Sequence, residues 1–136
     1  MNAAIEIHDS ELTTISSTRD GVLIRLAQAY IHRSLARPGL DVGSVWTQSV
    51  EMLFASGVVE GHLPHLPCTL DDGTISGGAE FQNLIPLPCV VETAVRIEAR
   101  SLHGELVVIR GTRLEVKAIG DASFVEEFPG VNSQRR

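Results

Sequence analysis

The chain has 136 residues, of which 43% are hydrophobic, 21% charged and 4% aromatic, and its eleven basic and seventeen acidic residues leave a net charge of -6. That length suits a single domain able to fold without metal or disulfide support, and the apolar fraction is too high for a disordered chain. The acidic balance, with ten arginines and one lysine spread along the sequence, argues against a nucleic-acid surface, and no apolar run nears the roughly 18 residues of a membrane-spanning helix.

Residues 1–130 read as one β domain, and 131–136, ending in Arg135-Arg136, as a flexible tail. The opening Met1-Asn2-Ala3-Ala4-Ile5-Glu6 has neither a basic start nor an apolar stretch, so no secretion signal is expected. Cys68 and Cys89 then read as reduced thiols, and the expected location is the cytoplasm. Ile5 and Ile7 alternate with Glu6 and His8, and the Thr- and Ser-rich run Leu12 to Thr18 suits a strand. Arg19-Asp20-Gly21 reads as a hairpin turn.

Val22 to His32 fits two templates. As a strand it places Val22, Ile24, Leu26 and Tyr30 on one face; as a helix over 22–36 it gathers Arg25, Gln28 and His32 on a polar side. The strand is preferred, because a turn leads into the segment and a hairpin needs a second arm. Val45 to Phe54 alternates as a strand, with Trp46 and Gln48 on the same face as Val50 and Phe54. Ile75, Ala79 and Phe81 mark another strand, with Gly77-Gly78 as a bulge, and Asp71-Asp72-Gly73 is a turn signal. Val91 to Arg100 alternates over its whole length, Leu106 to Ile109 is a continuous apolar strand, and Leu114 to Ala118 alternates again. Gly120-Asp121 is expected to break that strand before a last one at Phe124 to Phe128, which makes the second half an antiparallel meander.

About eight short strands between Gly, Pro and Asp turns predict an all-β antiparallel sandwich or partly closed barrel. The alternative is α+β, with one helix at 22–36 packed on an antiparallel sheet.

Two constellations carry possible chemistry. Tyr30, His32, Arg33 and Arg37 come from one strand and its loop, and Trp46 and Gln48 from the next. Paired strands would bring Tyr30, His32, Trp46 and Gln48 near one another, an aromatic wall with an imidazole and an amide suited to a small polar ligand or a peptide. Arg33 and Arg37 belong to a 12-residue loop at 33–44, where they can grip a carboxylate or phosphate or pair with Asp41 or Glu51. In the second constellation, His62, His65 and Cys68 recur every third residue, with Cys89 as a fourth donor. An extended Pro-rich segment separates such positions by roughly 9 Å, too far for one zinc ion, so these are weak metal candidates.

Phosphate-loop, dinucleotide, zinc-protease and nucleophile-elbow motifs are absent. The expectation is a non-catalytic, cofactor-free acidic domain that binds another protein or itself as a homodimer. A small-molecule barrel built on Tyr30, His32, Trp46 and Gln48 comes second, and a metal-dependent enzyme third.

Overall fold

The computed structural model describes residues 1–131. They form eleven strands: β1 (Asn2–Thr18), β2 (Gly21–Ser34), β3 (Gly43–Ala55), β4 (Val58–Glu60), β5 (Cys68–Gly77), β6 (Phe81–Gln82), β7 (Leu84–Pro86), β8 (Cys89–Val91), β9 (Val95–Ser101), β10 (Leu106–Gly111) and β11 (Arg113–Phe128). The expectation of an all-β fold holds, with antiparallel pairing throughout. The helical alternative over 22–36 does not. β2 occupies that segment, and its pairing with β3 slips between Leu26 and Ala29. The buried apolar positions consequently run 22, 24, 26, 29, 31. The one three-residue step is what lent the segment its helical look.

The strands follow the order β4-β10-β9-β5-β1-β2-β3-β11-β8, with β6 beside β5 and β7 beside β1. The sheet folds over at β5, which meets β1 only at Thr69 and Cys68, opposite Glu11 and Leu12, before running on against β9. One layer is β7-β1-β2-β3-β11-β8 and the other β4-β10-β9-β5-β6. Their facing side chains share one core, from Ile7, Leu12, Ile24 and Phe54 in the first layer to Leu70, Ile97 and Ile109 in the second. The outer strands of the first layer, β7 and β8, are joined by Leu87-Pro88 alone. Pro86 and Cys89 therefore stand no more than about 11 Å apart, and the layer curls into a partly open barrel that no ladder closes among the described residues.

Other expectations need correcting. Strands number eleven because β4, β6 and β7 are too short to show a pattern, and several strands are long rather than short. Gly77-Gly78 lies in the reversal between β5 and β6, since Ile75 pairs with Phe81. Asp71-Asp72-Gly73 runs inside β5, where the register shifts between Leu70 and Asp72. Gly73 packs closely there: a Cβ would come 2.8 Å from Ile7 Cδ1, so that side chain would have to shift. The run 91–100 is split at Glu92–Ala94 between β8, on β11, and β9, on β10. The meander ends at β10, because β11 crosses to the first layer and pairs with β3. Gly120-Asp121 does not stop β11 but sits in a bulge between Ile119 and Ser123. Of the expected tail, Val131 donates its N–H to the Leu40 carbonyl, and 132–136 lie outside the described residues.

Candidate functional site

β1, β2, β3 and β11 extend side by side beyond their bulges, and the register there decides which side chains meet. Ile31 lies opposite Trp46, and Trp46 opposite Phe124; Ile5 pairs with Ile31 on the other side. Directly opposed residues share a face, so Ile5, Ile31, Trp46 and Phe124 form one row. At its inner end Ile5 and Ile31 are buried in the core. At its outer end Trp46 is half-buried and Phe124 is 52% exposed.

Three contacts hold the indole. Its Nε1–H donates to Ser44 Oγ at 2.8 Å. Phe124 meets it edge to face, with ring centroids 5.4 Å apart and planes at 80°. The Arg33 guanidinium lies over it, 4.3 Å from the ring centroid. A groove of about 650 Å³ opens at this place, lined by Arg33, Trp46 and Phe124 with the loop residues Leu35 and Val42, and by Met1. Asp41 and Glu127 also border it. No histidine or cysteine lines it among the described residues; of its two hydroxyls, Ser44 Oγ accepts the indole hydrogen bond and Ser34 Oγ donates to the Val42 carbonyl. The groove thus offers apolar surface together with the Arg33 guanidinium, the Asp41 and Glu127 carboxylates and the Ser34 and Ser44 hydroxyls.

Tyr30 and His32 do not join this group. They lie opposite Thr47 and Val45, one residue out of step with Ile31 and Trp46, and so occupy the reverse face of the sheet. Trp46 and Gln48 share the groove side, and the four residues do not surround one cavity. His32 is 5% exposed. Its ring meets the edge of Phe128 at 4.9 Å, Nε2 lies 3.4 Å from Glu6 Oε1, and Nδ1 has no hydrogen-bond partner among the described residues. The Gln48 amide donates at 2.7 Å to the Gly120 carbonyl and so pins the β11 bulge.

The loop between β2 and β3 is shorter than the sequence suggests, because β2 runs to Ser34. Arg37 pairs with Asp41 through Nε and Nη2 at 2.9 and 3.1 Å, and its backbone N–H donates to the same carboxylate. The guanidinium hydrogen bonds hold the Asp41 carboxyl below its ordinary value. Glu51, the other partner considered, pairs with Arg25.

The weak metal candidates do not converge: no three His, Cys, Asp or Glu side chains gather in a ligand arrangement among the described residues. His65 Nδ1 lies 3.0 Å from Glu105, which lowers that carboxyl from its usual range, and His62 is exposed. Both cysteines are free, and burial raises both thiols, Cys68 with a further push from Glu105. Thiols held protonated are poor ligands.

Sequence reasoning reached Arg33 and Trp46 but missed Phe124, Ser44, Leu35 and Val42. The exposed apolar pair Phe124-Val125 beside Glu126-Glu127 was the available signal; which strand it joined, 78 positions from Trp46, was not legible. No protein-family model matches the chain, and comparisons with curated proteins and with solved structures return no match. No helix among the described residues is long and apolar enough to cross a membrane.

Proposed function

We propose that this chain is a small, acidic, non-catalytic β domain of the cytoplasm that binds another protein through the Trp46–Phe124 groove. The observation that carries the reading is a rigid aromatic pair under an arginine, set among unusually exposed apolar side chains: Leu35 is 85% and Val42 71% exposed. Contiguous apolar surface on a small domain marks a contact site, and Trp and Arg dominate the energy of such sites. A small-molecule site inside the barrel has less support. The void between the two layers measures only about 20 Å³ and is lined by aliphatic side chains such as Leu26, Met52 and Val107, whereas ligand pockets run to several hundred cubic ångströms. Two free cysteines agree with a reducing compartment.

The test is calorimetric. Once a partner is purified, its affinity is compared for the wild-type chain and for Phe124→Asp, a change at an exposed position that leaves the core intact. A loss of tenfold or more is expected; equal affinity would remove the groove from the interface.

Self-association ranks second. Beyond Val116, where β8 stops, Lys117 to Phe128 has no strand opposite β3 among the described residues, and free edges invite pairing. Two bulges and the charges of Asp121, Glu126 and Glu127 interrupt this edge. Sedimentation at two concentrations decides: a monomer throughout rejects the homodimer.

A further inference from the structure

The chain spends its arginines consistently. Among the described residues, Arg25, Arg37, Arg96, Arg110 and Arg113 each pair with a carboxylate, and Arg100 donates to the Gly104 carbonyl. Arg19 sits in the exposed β1–β2 turn. Arg33 is the exception with a structured setting. It is half-buried, its guanidinium lies over the indole, and its N–H groups meet no acceptor among the described residues. The two neighbouring carboxylates do not take it up. Asp41 is committed to Arg37. Glu127 lies beyond Ser44, two strands from Arg33, and makes no ion pair with it.

We infer that the groove recognises a carboxylate carried beside an apolar side chain on a partner polypeptide, with the apolar group against Phe124, Val42 and Leu35 and the carboxylate on Arg33. The inference rests on the protein-binding reading above and names the chemistry that reading leaves open. Contact with the face of Trp46 holds the guanidinium at the groove, and its N–H groups, with no acceptor among the described residues, can form the paired hydrogen bonds that suit a carboxylate. The apolar walls strengthen that pairing by lowering the local dielectric. An arginine with no acceptor among the described residues, set beside the apolar Trp46, Phe124, Val42 and Leu35, complements a carboxylate at that point, whether it is a chain terminus or a Glu or Asp side chain.

Three peptides separate these sources: acetyl-Ala-Phe-Leu with a free C-terminal carboxylate, the same peptide amidated, and amidated acetyl-Glu-Phe-Leu. Each is titrated into the ¹⁵N-labelled chain, with the indole N–H of Trp46, the only tryptophan, as reporter. The free acid is expected to move that signal and to bind roughly tenfold more tightly than its amide. If the Glu peptide matches the free acid, side-chain carboxylates serve as well; if it binds like the amide, the site reads chain termini. Arg33→Gln should abolish the preference for acid, and Glu127→Gln, by removing a nearby negative charge, should increase it. Acid and amide binding alike would overturn the inference while leaving the groove a protein-binding site. No movement of the Trp46 signal with any peptide would overturn it too, and the calorimetric comparison at Phe124 would still judge the broader reading separately.

Discussion

Arg33 and Arg37 stand one strand-end apart, and only Arg37 is neutralised. Its side chain and backbone N–H both reach Asp41, which closes the loop on itself. Arg33 lies over Trp46, and its donors meet no acceptor among the described residues. The sequence shows both arginines and the nearby Asp41, so the pair was legible as a possibility. The contact of Arg33 with the indole was not, because it depends on a strand register set by a bulge at 27–28. His8 shows a comparable local effect at another site. Its Nδ1 lies 2.7 Å from the Asp71 carbonyl, which with Asp9 and Glu6 nearby raises its pKa above the usual 6.5. A raised folded-state value means that the contribution of His8 is complete below about pH 6.5 and fades as pH climbs through the folded value. An NMR titration of the imidazole should give a midpoint above 6.5, and in His8→Gln the stability lost over that window should flatten. A midpoint at or below 6.5 would contradict the contact.

At the scale of elements, alternation was readable wherever the ladder ran true, as in β9, where Val95, Ile97, Ala99 and Ser101 are buried. It failed where one extra residue changes the phase. In β1 the register shifts between Glu6 and Glu11 around Asp9, whose φ is +69°. Ser10, fully buried, ties this bulge down by donating to the Glu6 carbonyl and accepting from the Tyr30 N–H. The β1–β2 turn was legible from Arg19-Asp20-Gly21, and its glycine is obligatory. At φ +142° a Cβ would lie 2.0 Å from the Phe54 carbonyl oxygen. Gly21→Ala is therefore expected to cost about 1–3 kcal/mol by urea unfolding; no change in midpoint would mean that the turn relaxes freely. The free part of β11 yields a second expectation. Replacing Glu126 and Glu127 with Thr removes the charges that blunt the edge. Sedimentation should then show more self-association than in the wild type, and an unchanged distribution would assign the protection to the bulges alone.

At the scale of the whole molecule, one all-β domain was foreseeable from short alternating runs and their turns. The route of the chain was not, since β11 leaves β10 for β3 and β5 serves both layers through pairings far apart in sequence. Those long-range ladders place Phe54, fully buried, where β2, β3 and β11 meet, opposite both Val22 and Leu114. Phe54→Ala should cost about 3–5 kcal/mol, a large share of the roughly 5–15 kcal/mol typical of a domain; a cost under about 1 kcal/mol would mean that the two layers do not share this core. The same routing brings Trp46 and Phe124 together, and a partner is expected to sit on that surface. A photoreactive phenylalanine analogue placed at Phe124, and separately at Ser17 near the distant β1–β2 turn, measures this inside the producing cell. The prediction is one discrete cross-linked adduct from position 124, competed away by the unmodified chain and not by its Phe124→Asp variant, with none from position 17. No adduct at 124, or the same adducts from both positions, would contradict it.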